Sequence, residues 1–228
     1  MSNPSIDVLV TGSNRGIGLE LCRQLLARGA RVIAACRSSS PELDALAGDA
    51  LRIVPHIDVG SAAGATALAD AIDGVELDLA IMNAGILLRG DKPAEPDFDG
   101  LREQLEVNAV GTLRCAVAVV PRLRSGGKLA FITSRMGSIG DNTSGSYYGY
   151  RMSKAALNMA AVSLAKDLAP RGVSVAILHP GMVKTDMTRG HGQVDVDVAA
   201  AGLLARIDEL TPETSGTFRH ANGEALPW

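Results

Sequence analysis

Tyr150 and Lys154 stand four residues apart and are the pair in this chain best suited to proton transfer. They open a stretch with helical periodicity, and residues four apart on a helix lie on one face. A free phenol ionises near pKa ~10. A neighbouring ammonium favours the phenolate, so we expect Lys154 to lower the pKa of Tyr150. Tyr150 can then donate a proton to a carbonyl oxygen or accept one from an alcohol.

Two neighbouring tyrosines offer the same phenol without the same partner. Arg151 and Met152 stand four residues after Tyr147 and Tyr148, so the role is assigned to Tyr150. An ordinary amphipathic helix can also carry a surface tyrosine and lysine at this spacing. The interpretation therefore depends on the elements around the pair.

A glycine-rich turn joins the first predicted strand, residues 6–10, to the first predicted helix, residues 16–28. Gly12 permits a tight turn, Gly16 lets a pyrophosphate approach the backbone, and Gly18 lets the helix lie close to the sheet. The helix N-terminus adds free N–H groups and a partial positive charge. The alternative is a turn that only redirects the chain. The candidate cofactor-binding residues of this turn are Gly12, Ser13, Asn14, Arg15, Gly16, Ile17 and Gly18.

Apolar runs alternate with helical patterns along the rest of the chain. They predict strands at 31–35, 51–55, 77–82, 128–133, 173–178 and 216–219, and helices at 41–47, 62–72, 98–123, 147–168 and 198–210. Several strands are continuously apolar, as in a parallel sheet covered on both faces. We therefore expect one α/β domain over residues 1–228, with a Rossmann-like doubly wound parallel sheet of about seven strands.

The composition excludes several classes of protein. With 22 basic and 25 acidic residues the net charge is −3, which gives no electrostatic support for nucleic-acid binding. The three cysteines show neither a disulfide framework nor a metal spacing, and we expect free thiols in a reducing compartment. The N-terminus has no signal-peptide pattern, and no apolar run approaches the ~20 residues of a membrane span. The expectation is a soluble cytoplasmic protein without a metal or a membrane partner.

The glycine turn, spaced TGxxxGxG, and the Tyr150–Lys154 pair together resemble the short-chain dehydrogenase/reductase family. The resemblance implies hydride transfer between a nicotinamide cofactor and a carbonyl or alcohol, with Tyr150 moving the proton. It implies that Ser134, rather than Thr133, hydrogen-bonds the substrate oxygen. It also implies that Asn108, inside a long helix, holds a water in a proton relay toward Lys154. Ser134 precedes Tyr150 by three residues more than is usual in the family, which places an extended loop before the tyrosine.

Further segments extend the resemblance over nearly the whole chain. The sequence after the fourth strand resembles a family motif that lines the cofactor cleft, with Met82 in place of its first asparagine. Asp58 follows the third strand, where the family contacts adenine; alternatively it caps the next helix. A turn after the sixth strand resembles the one that embraces the nicotinamide. The further cofactor-binding candidates are Asp58, Val59, Asn83, Ala84, Gly85, Tyr150, Lys154, Pro180, Gly181, Val183 and Thr185.

The residues after the second strand favour NADPH/NADP+ over NAD(H). A fold of this kind that prefers NAD places an acid there for the ribose hydroxyl, and residues 35–39 contain none. Arg37 stands where a 2′-phosphate would lie, and Arg15 can approach the same phosphate from the glycine turn. Guanidinium groups suit phosphate recognition. The alternative is two solvated arginines on loops.

Within the family, the sequence resembles the branch of sniffer-type carbonyl reductases and C-factor proteins. This implies NADPH-dependent reduction of an aldehyde, ketone or quinone, with a short substrate loop at about 186–198. The alternative function is an NADP(H)-binding regulatory or signalling protein. Nucleotide-sugar epimerases share the Tyr/Lys pair but need more than the 43 residues that follow Thr185. The helices at 98–123 and 147–168 commonly form the family's dimer interface, which implies a homodimer or homotetramer.

Overall fold

The structure, a computed structural model, describes residues 5–88 and 94–228. The segment at 89–100, whose Pro, Asp and Gly content predicts a surface loop, therefore lies partly outside the described residues. Within them a sheet of seven parallel strands runs through the molecule. The strands are β1 (Asp7–Thr11), β2 (Arg31–Ala35), β3 (Leu51–Val54), β4 (Leu77–Met82), β5 (Leu123–Ile132), β6 (Ser174–His179) and β7 (Phe218–His220).

Helices cover both faces of this sheet. The α-helices among the described residues are α1 (Gly16–Ala27), α2 (Pro41–Asp44), α3 (Ala62–Ala71), α4 (Phe98–Leu105), α5 (Thr112–Val119), α6 (Tyr148–Leu168) and α7 (Val196–Asp208). The strand order is β3-β2-β1-β4-β5-β6-β7, so the direction of winding reverses between β1 and β4. Ligands of open α/β sheets bind outside the carboxyl ends of the strands at such a reversal. The predicted Rossmann-like fold is confirmed.

Two hydrophobic cores fill the space between the sheet and its helices. The core on one face takes Leu68 from α3, Cys115 from α5 and Leu157 from α6. The core on the other face takes Leu21 from α1 and Leu203 from α7. All of them are at most 1% exposed, because strands buried on both faces demand apolar side chains above and below.

The predicted helix at 98–123 is wrong as a single element. After α4 the chain makes a π-helical turn, Glu106–Gly111, before α5 begins, and a 3₁₀ turn, Val120–Arg122, follows α5. The Thr112 hydroxyl donates to the Val107 carbonyl at 2.9 Å, an i to i−5 contact that supports the wider turn. A π-helical turn contains about one residue more than an α-helical turn, and the spacing of apolar residues does not reveal so small a difference. This turn was therefore not predicted.

Other boundaries shift by a few residues. The second helix is a single turn that ends at Asp44 instead of residue 47, although Ser40 caps it by accepting from Leu43 N at 3.1 Å. The strand predicted to start at 128 begins at Leu123, with an irregular register against β4. The last helix starts at Val196, so the predicted substrate loop is shorter than expected.

Candidate active site

A cleft of about 650 Å³ lies at the carboxyl ends of the strands and gathers most of the predicted residues. Parallel strands all end at one edge of their sheet, so the loops that follow them meet there. The predicted residues that line the cleft are Gly12, Asn14, Arg15, Gly16, Ile17, Gly18, Arg37, Asp58, Val59, Asn83, Ala84, Gly85, Tyr150, Lys154, Pro180 and Thr185.

Five predicted residues stand outside this lining. Ser13 is buried, and its hydroxyl donates to the Ala35 carbonyl at 3.1 Å. Val183 is buried just before the predicted substrate loop, and Gly181 adjoins the lining residue Pro180. Asn108 and Ser134 are also buried and reach the site through the side chains they contact, as described below.

The glycine turn is packed too closely to accept side chains. Gly12 has a φ of +65°, and a Cβ there would lie 2.9 Å from the Ala84 Cα. A Cβ on Gly18 would lie 2.1 Å from the Gly12 carbonyl oxygen. Asn83 fixes the turn from the neighbouring strand, because its Nδ2 donates to the carbonyls of Thr11 at 3.0 Å and Gly12 at 3.1 Å. The result is a bare backbone cradle before α1, which fits a pyrophosphate group.

Asp58 does not cap the helix that follows it. Its Oδ1 accepts from Gly60 N at 3.0 Å, while Ser61 caps α3 by accepting from Gly64 N at 2.9 Å. That alternative is therefore wrong, and Asp58 lies exposed at the lining of the cleft.

The two arginines predicted to bind a 2′-phosphate both line the cleft. Arg37 is exposed and lines the cleft beyond β2. Arg15, in the glycine turn, also lines it, with its guanidinium 3.7 Å from the carboxylate of Asp186 across the cleft. Both side chains of that ion pair are exposed, so the contact is weak and leaves Arg15 available to an anion.

Tyr150, Ser134 and Lys154 meet at the inner end of the cleft. Tyr150 is 8% exposed, and the Ser134 side chain lies close enough to its phenol to affect the phenol's pKa. Lys154 is 4% exposed, its Nζ lies 5.7 Å from the centre of the Tyr150 ring, and it donates to the Ile132 carbonyl at 3.1 Å. Gly137 lets the segment after β5 pack closely against the backbone of α6, because a Cβ at Gly137 would lie 2.7 Å from the carbonyl carbon of Lys154.

The other hydroxyls near Ser134 are engaged elsewhere. Thr133 donates to Asn158 Oδ1 at 2.7 Å, and Ser138 accepts from Asp141 N at 3.0 Å. Ser134 Oγ accepts from Met136 N at 3.2 Å, and Ser134 is the one of these three residues whose side chain affects the Tyr150 pKa.

The expected lowering of the Tyr150 pKa is wrong for this structure. Burial raises the pKa of Tyr150 to about 12, and the hydrogen bond from Ser134 opposes that rise. Burial also lowers the pKa of Lys154 to about 8. Removal from water disfavours the charged form of both groups, and this outweighs their mutual attraction. At neutral pH the phenol keeps its proton, which is the state required of a proton donor.

Asn108 lies in the π-helical turn and joins three parts of the site. Its Oδ1 accepts from Ile86 N at 2.7 Å, and its Nδ2 donates to the Ile86 carbonyl at 2.8 Å. The same Nδ2 donates to Ser153 Oγ at 3.0 Å. A Cβ on Gly85 would lie 3.1 Å from Asn108 Oδ1 and 3.5 Å from Lys154 Nζ, so both side chains converge there.

Gln104 was not predicted as a site residue, although it is fully buried and hydrogen-bonds the backbone one turn before Asn108. Its Oε1 accepts from Leu88 N at 3.0 Å and its Nε2 donates to the Gly100 carbonyl at 3.3 Å. The signal in the sequence was its position four residues before Asn108, on the same helix face. The lining residues that were not predicted are Cys36, Ser38, Ile57, Ile86, Glu103, Val107, Ile132, Thr133, Asp186 and Met187.

The cysteines are free and buried at all three positions, Cys22, Cys36 and Cys115. Burial raises the pKa of Cys22 to about 12 and that of Cys115 to about 11, which makes them poor nucleophiles. Across residues 5–88 and 94–228, no group of His, Cys, Asp or Glu could hold a metal ion. None of the helices described is long and apolar enough to cross a bilayer.

Comparison with known proteins identifies the class to which this fold and site belong. The family model described as short chain dehydrogenase matches residues 7–208. The chain therefore belongs to the short-chain dehydrogenase family, as its motifs predicted.

Relatives place the chain near the predicted branch. It is 46% identical to the 1-hydroxy-2-glutathionyl-2-methyl-3-butene dehydrogenase of Rhodococcus sp. (strain AD45), over 97% of this chain and 99% of the relative. It is 42% identical to the C-signal protein of Myxococcus xanthus, over 67% of this chain and 93% of the relative.

Solved structures agree. The carbonyl reductase Sniffer of D. melanogaster has a TM-score of 0.92 at 30% identity, covering 98% of this chain and 100% of that chain. An NADPH-bound carbonyl reductase from chicken fatty liver has a TM-score of 0.88 at 31% identity, covering 98% of this chain and 99% of that chain. The predicted resemblance to sniffer-type reductases and C-factor proteins is confirmed.

Proposed function

We propose that this oxidoreductase uses NADPH to reduce the carbonyl group of an aldehyde, ketone or quinone to an alcohol. The observation that carries the proposal is the buried Tyr150 phenol, which lies beside Ser134 and 5.7 Å, measured from its ring centre, from Lys154 Nζ at the inner end of the cleft. A carbonyl that accepts hydride needs a proton at its oxygen. Tyr150 holds one at neutral pH.

Each side chain of the site has a separate task. Ser134 hydrogen-bonds the substrate oxygen and holds it beside the phenol. Tyr150 donates its proton to that oxygen, general acid catalysis worth roughly 10²–10⁴-fold in rate. Lys154 donates to the Ile132 carbonyl, which fixes its position. In its protonated, ammonium form Lys154 stabilises the negative charge left on the Tyr150 oxygen after proton transfer. Asn108 holds the wall at Ile86 and, through Ser153, the helix that bears Tyr150.

Residues that line the cleft would hold an NADPH cofactor. The backbone cradle at Gly12 and Gly18 would hold the pyrophosphate, Asp58 would contact the adenine, and Thr185 would contact the nicotinamide. Arg37 would hold the 2′-phosphate. When bound, the dihydronicotinamide supplies the hydride. The NADPH-bound relative from chicken supports this assignment.

The test is oxidation of NADPH, with NADH in parallel, across a panel of aldehydes, ketones and quinones, monitored by loss of reduced-cofactor absorbance. Turnover with NADPH that Tyr150→Phe abolishes supports the proposal. Turnover that Tyr150→Phe leaves unchanged would contradict the assignment of the proton donor.

The Rhodococcus relative favours a second substrate class for the same site. Its name describes dehydrogenation of an alcohol that carries a glutathionyl group. The assay therefore includes glutathione-conjugated primary alcohols with NADP+ and NAD+. Oxidation of these alcohols, together with failure on every simple carbonyl, would favour this candidate.

The C-signal relative favours the regulatory alternative, in which the chain binds NADP(H) with little turnover. Tight NADPH binding without turnover on any member of either panel would support it. The buried Tyr150–Lys154 pair in the cleft argues against it, because a regulatory protein has no need of a proton donor there.

The surface of α5 and α6 and the three free cysteines indicate how the protein assembles and where it resides. The outer surfaces of α5 and α6 carry exposed apolar side chains, with Val117 at 56%, Met152 at 48% and Met159 at 68% exposed. We propose that these surfaces pair two copies of the chain, as a homodimer or within a homotetramer.

The three free thiols support a reducing compartment, and we assign the protein to the cytoplasm.

A further inference from the structure

The segment directly before α6 has an unusual backbone. Gly145, Ser146 and Tyr147 follow one another with φ values of 62°, 55° and 55°. L-residues other than glycine visit this left-handed region singly and at a cost, because the Cβ crowds the following carbonyl oxygen. Two such residues after a left-handed glycine persist only where their surroundings hold them.

Arg151 supplies that hold from the first turn of α6. Its Nε donates to the carbonyls of Gly145 at 3.1 Å and Ser146 at 3.0 Å. One terminal nitrogen donates to Ser144 Oγ at 2.9 Å and the other to the Met136 carbonyl at 3.5 Å. The guanidinium therefore joins the left-handed turn to the segment that follows Ser134.

A cation at this place is unfavourable by local rules. The N-terminus of a helix carries a partial positive charge, so an arginine in its first turn is repelled. In addition, Tyr147, the residue at the start of α6, makes no side-chain cap. The carbonyls of the turn compensate Arg151, and Arg151 joins them to the start of the helix. Asn142 Oδ1 accepts from Gly145 N at 3.1 Å and holds the same turn from the other side.

The other end of the same loop is also anchored. Arg135 pairs with Asp141 at 3.1 Å, and Gly140 N donates to the Trp228 carbonyl at 2.8 Å. The loop thus runs between Ser134 and Tyr150 with a fixed point at each end. A displacement of its left-handed end is transmitted to the first turn of α6, which carries the phenol.

We propose that Arg151 is a positioning residue that holds residues 145–147 left-handed and thereby sets where Tyr150 lies against Ser134. The inference rests on the proposed carbonyl reduction for its kinetic test. It adds a residue that does not line the cleft to those on which turnover depends.

The first variant is Arg151→Met, which keeps the length of the side chain and removes its donors. We expect kcat per NADPH-binding site to fall about tenfold or more, because a misplacement of ~1 Å can cost ~100-fold in rate. The Kd of NADPH stays unchanged. A merely structural role would lower the melting temperature and the number of binding sites, and leave kcat per site as it was.

A second variant tests the conformational cause. Glycine adopts a positive φ without strain, so Ser146→Gly added to Arg151→Met should restore kcat by about fivefold. Thr143→Gly is the matched control, because Thr143 lies in the same loop without a positive φ. It should restore nothing. Equal recovery by both glycines, or by neither, would overturn the proposed cause.

Amide hydrogen exchange over residues 148–152 of the NADPH-bound protein separates this inference from the proposed function. Wild-type protein without turnover contradicts the proposed function. In that case faster exchange in Arg151→Met than in the wild type supports the inference that Arg151 fixes the first turn of α6. Unchanged exchange overturns that inference. With an active wild type, unchanged kcat per site overturns the inference whatever the exchange shows.

Discussion

Asn108 donates from Nδ2 to Ser153 Oγ at 3.0 Å, and Ser153 in turn donates to the Tyr150 carbonyl at 2.8 Å. Through these two bonds the π-helical turn is joined to the helix that carries the phenol. Since the same amide also pairs with both backbone groups of Ile86, one side chain fixes two walls of the cleft.

Asn108→Leu should therefore destabilise the protein. It leaves the partly buried N–H and carbonyl of Ile86 without their partners, and an unsatisfied buried group costs ~1–3 kcal/mol. We expect the free energy of unfolding in urea to fall by about 2–4 kcal/mol. Asn142→Ala removes an exposed amide and should cost less than ~1 kcal/mol. Similar losses for both variants would contradict the bridging role.

Tyr150→Phe should keep the fold and the affinity for NADPH while kcat for carbonyl reduction falls roughly 10²–10⁴-fold, because it removes the proton donor and little volume. Stopped-flow or steady-state loss of reduced-cofactor absorbance measures this. Tyr148→Phe is the matched control on an exposed neighbour and should turn over at the wild-type rate.

Arg37→Gln should weaken NADPH binding about 10- to 100-fold, the loss expected for a charged hydrogen bond to phosphate, and leave NADH binding unchanged. Isothermal titration with both cofactors measures the ratio of their Kd values. Arg52→Gln removes an exposed arginine of β3 that lies outside the cleft lining. If the two variants show the same ratio, the phosphate is recognised elsewhere.

The lowered pKa of Lys154 predicts a specific dependence of stability on pH. Its value is about 8 in the folded protein against an ordinary 10.5, so between these limits the unfolded chain binds more protons. Stability contributed by this group therefore rises with pH across that window. Relative to Lys154→Met, the wild-type free energy of unfolding should increase by about 2–3 kcal/mol from pH 7.5 to pH 10. A constant difference would refute the buried, shifted ammonium.

Met159→Glu should convert the proposed dimer into a monomer, because a desolvated carboxylate at an apolar interface is costly. Sedimentation or gel filtration with light scattering measures the mass. Val198→Glu, on an exposed position of α7, is the control and should leave the assembly intact. A wild-type chain that is monomeric at micromolar concentration would contradict the pairing itself.

The sheet and the glycine turn were predictable because their signals are local. Continuous apolar runs such as Val8 to Val10 identify strands buried on both faces, and Gly12 and Gly18 follow from steric need at a strand–helix turn. The alignment of these turns on one edge follows from parallel pairing. Composition and periodicity therefore sufficed for the architecture, whereas most of the cleft lining beyond the glycine turn was predicted from the resemblance to the family.

The rest depends on long-range contacts that no local pattern records. The π-helical turn, the buried Gln104 and the four bonds of Arg151 join residues distant in sequence or require an exact turn geometry. The pKa of Tyr150 was misjudged for the same reason. Spacing indicated the nearby ammonium, whereas the degree of burial is set by the whole fold.

The π-helical turn has a consequence for how the chain can vary in length. Each residue advances an α-helix by about 100°, so deleting one residue from Glu106–Gly111 would rotate α4 against α5 by that angle. Gln104 would then face away from Leu88. The loop before Tyr150 differs, since its length is not fixed by a helical repeat, whereas its left-handed end contacts Arg151. Natural and engineered variants should therefore change in length before Tyr150 and keep their residue count around Asn108.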